Sequence, residues 1–133
     1  MRTTSANIKK CLCGSGQLLA DCCQPYHAQI ASAPTAEALM RSRYVAYVLG
    51  LEPYLLATWH TSTRPVSLDL DEEPRPNWLG LEIKRHELED DNHALVEFVA
   101  RYKIGGRAYR LHETSRFVRE DNQWLYIDGV FAK

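Results

Sequence analysis

Four cysteines stand within thirteen residues, as Cys11-Leu12-Cys13 and Cys22-Cys23, and the 110 residues that follow contain none. A cluster this tight constrains the amino-terminal region more than any other feature, because a divalent metal needs several thiolates converging on one point. A C-x-C turn supplies two, eight residues intervene, and a second pair closes the set. Structural zinc takes four tetrahedral thiolate or imidazole donors. Cys11, Cys13, Cys22 and Cys23 fill that shell and leave no position for water, so the zinc expected here is structural and not catalytic. Gly14 and Gly16 allow a tight loop whose amides can donate to sulfur. Neighbouring Cys22 and Cys23 both reach one metal only if a turn or helix begins there, and His27 is the substitute fourth ligand. The alternatives are two disulfides, or reduced thiols with no metal; a vicinal Cys22–Cys23 bridge would be strained.

The compartment argues the same way. The segment from Met1 to Lys10 has no apolar leader core or cleavage signature, and no apolar run approaches the ~20 residues of a membrane span. The chain is therefore expected in the cytoplasm, with no membrane association, where clustered thiols stay reduced and favour metal. With 16 basic against 17 acidic side chains the net charge is −1, which disfavours a partner recognised through many phosphates. Lys9, Lys10 and Tyr26 are too few for a nucleic-acid-binding zinc knuckle.

A composition of 45% hydrophobic and 25% charged residues is that of a globular body behind this lobe. Ser32-Ala33-Pro34 breaks the chain, which divides it into a metal motif over residues 1–30 and a body over 31–133. Thr35 is the N-cap of a helix with Glu37 in its first turn. Met40, Tyr44, Tyr47, Val48 and Leu51 lie on one face of it, and Gly50 ends it. Pro53 starts a shorter helix running to Trp59. Residues 61–77, with Pro65, Pro74 and Pro76, are expected as loop.

From Trp78 the period changes to two: Leu79, Leu81 and Ile83 on one face, then Val96, Phe98, Ala100, Tyr102 and Ile104. Gly105-Gly106 is a hairpin turn. The return strand from about Arg107 to Arg119 carries Tyr109, Leu111, Glu113, Ser115 and Phe117 on one face. Asp121-Asn122 turns the chain into a last strand from Gln123 to Asp128. Helices followed by an antiparallel meander make an α+β fold, helices packed on a curved sheet.

The string Cys-x-Cys-Gly-Ser-Gly, a five-residue spacer and a cysteine pair resemble the SEC-C zinc motif of the preprotein translocase motor tail. That motif usually ends Cys-His and has a lysine-rich spacer; here the last position is Cys23 and the spacer is Gln17 to Asp21. The body's element order resembles the nuclear transport factor 2-like cone, in which a concave sheet and the first helix enclose a pocket. End to end, the chain resembles the YchJ family, bacterial proteins that join the two. The resemblance is carried by Ala36-Glu37-Ala38-Leu39-Met40-Arg41-Ser42-Arg43-Tyr44, Tyr54-Leu55-Leu56-Ala57-Thr58-Trp59-His60, Leu111-His112-Glu113-Thr114-Ser115-Arg116-Phe117 and Trp124-Leu125-Tyr126-Ile127-Asp128-Gly129. It implies a monomer or a homodimer formed through the sheet's outer face, and assigns no activity.

If the Glu113 face is concave, a carboxylate points into an apolar pocket, where burial raises its pKa unless Arg43 or Arg64 compensates. Candidate pocket residues are Arg43, Tyr44, Trp59, His60, Arg64, Glu113, Ser115 and Asp128. A His60–Glu113 pair, with Arg64 orienting an anionic or carbonyl group, would make a small acid–base enzyme of the dehydratase, cyclase or isomerase type. The competing expectation is structural, with Glu113 ion-paired to Arg43, His60 bonded to a loop carbonyl, and Trp59, Trp78 and Trp124 in the core. His86, His93 and His112 read as surface residues. The leading expectation is a zinc-stabilised, non-enzymatic adaptor whose lobe meets a protein partner and whose cone holds at most a small-molecule ligand.

Overall fold

The computed structural model describes residues 10–29 and 31–131; Lys9 and the boundary residue Ile30 lie outside them. A 3-10 turn, Leu19–Asp21, leads into α1 (Gln24–His27), then α2 (Ala36–Leu49) and α3 (Glu52–Ala57). Four strands follow: β1 (Asn77–Asp90), β2 (His93–Ile104), β3 (Arg107–Glu120) and β4 (Gln123–Phe131). They form one antiparallel sheet in the order β1-β2-β3-β4, with α2 packed on one face. Among the described residues no helix is long and apolar enough to cross a membrane.

Local chemistry explains the boundaries. Thr35 Oγ1 accepts the Ala38 amide at 3.0 Å, so α2 starts on a capped amide. Gly50 ends it in the left-handed region at φ 74°, where a Cβ would be strained. Both residues of the Gly105-Gly106 and Asp121-Asn122 turns have positive φ, the twist that two-residue hairpins need. Pro53 stands in the first turn of α3, where its missing amide hydrogen costs nothing. Beyond α3 the chain pairs with β4: the Tyr126 amide donates to the Thr58 carbonyl at 2.9 Å and the His60 amide to the Tyr126 carbonyl at 2.8 Å.

Bulges in β1 break strict alternation. Leu79 is the extra residue of a bulge between Trp78 and Gly80, so it lies 51% exposed while Trp78, Leu81 and Ile83 pack on the core. A second bulge around Lys84 returns His86 to the inner face opposite Val96. The expectation of His86 as a surface residue is thereby corrected: its Nδ1 lies 3.8 Å from Glu37 Oε1, and its Nε2 is sealed without a partner.

The helix α2 is buried on more than one stripe. Met40 and Tyr44 pack with the sheet, while Leu39 and Val45 share a core with Cys11, Cys13 and Cys23. Ser42 lies between α1 and α3, its hydroxyl on Tyr54 OH at 2.7 Å and its carbonyl on His27. The amino-terminal lobe is thus continuous with the main core.

Candidate metal centre and a polar cavity

The Cys11-Leu12-Cys13 turn is closed by the Cys11 amide donating to the Gln17 carbonyl at 2.8 Å and by a bridge between Lys10 and Leu18. Gly14 and Gly16 take φ values of 84° and 86°, and a Cβ on Gly14 would come within 3.3 Å of the Leu81 carbonyl oxygen. The 3-10 turn then delivers Cys22, and α1 starts on Cys23, whose carbonyl accepts the amides of Tyr26 and His27. A helix beginning at the second pair is what lets adjacent cysteines converge.

All four Sγ atoms lie within 4.8 Å of one another. Cys13 Sγ is 3.6 Å from Cys22 Sγ, and Cys22 Sγ is 3.9 Å from Cys23 Sγ. A tetrahedral ion with metal–sulfur bonds of about 2.3 Å sets sulfurs about 3.8 Å apart, so the cage has the size a metal needs. Ser15 Oγ sits 3.2 Å from Cys22 Sγ, and Arg41 Nη1 donates to the Cys13 carbonyl at 2.8 Å, two contacts that orient residues of the cage.

The thiol electrostatics point the same way. Hydrogen bonds from Cys11 and Cys23 push Cys13 well down, while the Cys13 sulfur pushes Cys11 up to about 11. Cys23 is driven up in turn by Cys11 and Cys13. Four thiols this close cannot all ionise together without a cation among them. A divalent ion would remove that conflict by binding the thiolates directly.

His27 takes no part in the cage, which corrects its reading as a substitute ligand. Its Nε2 bonds the Ser42 carbonyl at 2.8 Å and its ring meets Tyr54 edge-on at 4.9 Å, an anchor of the lobe to the body. Burial lowers its pKa below the usual imidazole value.

The candidate pocket residues separate. Arg43, Tyr44, Glu113 and Ser115 line a cavity of about 230 Å³ between α2 and the sheet. Trp59 lies against Arg43, whose guanidinium sits 5.1 Å from the Trp59 ring and 4.7 Å from Tyr126. His60 is not part of the cavity lining: its Nδ1 meets Ser62 Oγ at 2.7 Å and its Nε2 meets Glu120 Oε2 at 2.9 Å. Arg64 turns back to donate from Nε to the Trp59 carbonyl. The expected His60–Glu113 pair is therefore not formed.

Asp128 is corrected too. The β3–β4 register shifts between Arg116 and Phe117, so Phe117 faces Tyr126 while Arg116 faces Asp128. One extra residue on β4 turns Asp128 outward, where Arg116 grips it at 2.7 and 2.8 Å. The same shift brings Gly129 opposite Ser115 on the inner face.

Glu113 is not ion-paired to Arg43. Its Oε2 accepts from Ser115 Oγ at 2.6 Å and from Tyr126 OH at 3.3 Å. Burial, then the nearby Glu113 charge, raises the Tyr126 pKa above the usual phenol value. The carboxylate lies against Gly129, where an added Cβ would overlap it, with Glu113 Cδ at 2.5 Å and Cγ at 2.8 Å. Sequence reasoning had not placed Tyr126, Gly129 and Arg41 in either site. A glycine inside a strand is a signal of close approach, and it is the one that could have found Gly129.

Comparison with known proteins agrees with this architecture. The family described as YchJ, middle NTF2-like domain, matches residues 35–129. A UPF0225 protein of Chromobacterium violaceum is 60% identical over 126 residues, spanning 92% of this chain and 93% of the relative. A UPF0225 protein of Ralstonia nicotianae is 56% identical over 129 residues, spanning 90% and 89%. The solution structure of a SEC-C motif containing protein from Rhodopseudomonas palustris superposes with a TM-score of 0.83 at 34% identity, covering 92% of this chain and 98% of that one. The crystal structure of a SEC-C motif containing protein from Psychrobacter arcticus gives 0.78 at 30% identity, covering 98% and 86%. With its sheet, its helices and its cysteine lobe all matched, the chain belongs to the YchJ family.

Proposed function

We propose that the protein is a zinc-stabilised binding module, whose cysteine lobe holds one structural zinc and presents a rigid knuckle to a protein partner. The observation that carries the reading is the convergence of four sulfurs within 4.8 Å on a loop with its own orienting contacts. Four protein donors leave no coordination position for a reacting water. The knuckle's outer surface is Leu12, 43% exposed, flanked by exposed Gly14, Ser15, Gly16 and Gln17. An apolar side chain on a turn held at both ends by a metal is a preorganised contact, which lowers the ordering cost of binding. The acid–base enzyme reading loses its support with the His60–Glu113 pair.

The test is elemental analysis of protein purified under reducing conditions, beside Cys13→Ser and Leu12→Asp. The expected result is one zinc per chain in the parent and in Leu12→Asp, and less than a tenth of that in Cys13→Ser. Cross-linked partners recovered by the parent should be lost in Leu12→Asp, although its zinc is retained. Metal-free parent protein with an ordered lobe would overturn the zinc assignment. Partner capture unchanged by Leu12→Asp would overturn the docking role.

A further inference from the structure

The cavity between α2 and the sheet contains two buried groups of opposite charge that do not pair. Arg43 is 2% exposed and Glu113 8%, and no ion pair among the described residues includes either. Both described hydrogen bonds of Arg43 leave from Nη1, to the Leu55 carbonyl at 2.8 Å and Thr58 Oγ1 at 2.6 Å. A guanidinium has five N–H donors, and among the described residues those on Nε and Nη2 form no hydrogen bond of full geometry, with the Tyr47 hydroxyl of the same cavity beside the guanidinium. Glu113 receives both of its hydrogen bonds on Oε2, which leaves Oε1 without a donor. These atoms are not sealed in, because the sealed, unpartnered side-chain atoms among the described residues are His86 Nε2 and Trp124 Nε1. A donor face and an acceptor face therefore open onto one cavity.

Such an arrangement is costly for a purely structural element. A buried charge without a counter-ion is strongly destabilising unless something completes its hydrogen bonds. The Glu113 carboxylate is also held deliberately, by two hydroxyls and by the missing side chain of Gly129. Aromatic walls from Tyr44, Trp78 and Tyr126 complete the lining.

We infer that this cavity binds a small, uncharged ring compound of the amide class, its carbonyl taken by Arg43 and its N–H by Glu113. Size, shape and charge each select that class. A cavity of about 150 Å³ holds benzene, so about 230 Å³ admits a ring with a few further atoms, on the order of ten in all. Flat aromatic walls favour a flat ligand. With Arg43 and Glu113 both present, an anion is attracted by one and repelled by the other, and a cation meets the reverse. A neutral molecule with one donor and one acceptor satisfies both without burying a third charge. None of the four cysteines lines this cavity, so the inference does not depend on the metal.

The experiment titrates full-length protein with benzamide, benzoate, benzamidine and toluene, which share a ring and differ in charge and polarity. Binding is read from the indole and arginine side-chain N–H signals by NMR. Benzamide should bind with a Kd of about 1 mM or tighter, shifting Trp78 and Arg43 signals, and at least about tenfold more tightly than the other three. Glu113→Gln removes the negative charge but keeps the shape, so benzoate should then bind at least as tightly as benzamide. Glu113→Gln that fails to fold is replaced by Tyr126→Phe and Ser115→Ala, each of which should weaken benzamide and spare toluene. No shift with benzamide up to about 10 mM overturns the inference. A wild-type preference for benzoate, benzamidine or toluene overturns it as well, as does a crystal structure in which only water bridges Arg43 and Glu113 with benzamide present.

Discussion

Gly129→Ala offers the sharpest test of how this cavity is built, because its effect should depend on a residue sixteen positions away. An alanine Cβ at 129 overlaps the Glu113 carboxylate, with Cδ at 2.5 Å and Cγ at 2.8 Å. The Gly129 backbone is not itself in the positive-φ region, so alanine is strained there only by the side chain it meets. Rotating the carboxylate away forfeits its bonds to Ser115 and Tyr126. Overpacking costs about 1–3 kcal/mol, and hydrogen bonds to a charged group contribute about 1.5–3 kcal/mol each. A moved carboxylate recovers part of that from solvent in the cavity, which leaves a net cost of about 2–4 kcal/mol. For a chain of this length the unfolding entropy is about 0.28 kcal/mol/K, so the melting temperature should fall by about 7–14 °C. In a Glu113→Ala background the three nearest atoms to that Cβ are gone, and the same change should stay within about 0.5 kcal/mol of neutral. Urea unfolding and thermal melts of the four proteins, all with excess zinc, give the coupling energy directly. An equal cost of Gly129→Ala in both backgrounds would refute the reasoning, because the strand and not the carboxylate would then be demanding glycine.

Three further outcomes test individual assignments. His27→Ala should lose about 1–2 kcal/mol by urea denaturation through the Ser42 carbonyl and Tyr54 contacts, with zinc content unchanged; loss of zinc would make His27 a ligand after all. Asp128→Asn should cost under about 1 kcal/mol and leave benzamide binding intact, since the Arg116 pair is on the solvent face; impaired binding would place Asp128 at the cavity. Arg116 holds the Asp128 pKa below the ordinary 3.8. The unfolded chain therefore binds the proton first as pH falls, so the pair's contribution is present above about pH 3.8 and lost as pH drops through the lower folded value. A carboxyl-detected NMR titration showing Asp128 at or above 3.8 would contradict the pairing.

Much of the fold was legible because short-range rules determine it. Thr35, Gly50, Gly105-Gly106 and Asp121-Asn122 each dictate a local backbone conformation that no distant contact overrides, and the period-two runs of β2 and β3 follow directly. The cysteine spacing was legible for the same reason. What could not be read was register. Alternation along Trp124, Tyr126 and Asp128 points Asp128 inward, and only the bulge opposite Arg116–Phe117 reverses it. A bulge is a two-strand property: it depends on which partner residue is paired, and one strand's sequence does not contain it. Leu79 fails by the same mechanism. His60 fails for a different reason, because its partner Glu120 is sixty residues away and half-exposed, outside the cavity.

The amino-terminal motif and the body are separable in sequence, and the break at Ser32-Ala33-Pro34 suggests that loss of metal would unfold the lobe alone. The contacts argue otherwise. Cys11, Cys13 and Cys23 share one core with Leu39, Val45 and Trp124, Arg41 from α2 holds the Cys13 carbonyl, and His27 holds Ser42. A lobe that melts exposes this side of α2 and leaves the Ser42 carbonyl without its donor, a loss of about 1–3 kcal/mol before any apolar area is counted. With about 3.5 °C of melting temperature per kcal/mol, the body of the chelated protein should melt at least about 4 °C below the zinc-loaded form. Metal release and the fluorescence of the core tryptophan Trp124, isolated by Trp59→Phe and Trp78→Phe, should change together as chelator is added. A body midpoint that ignores the chelator, with Trp124 silent while zinc leaves, would show that the lobe is only tethered to the sheet and helix that follow it.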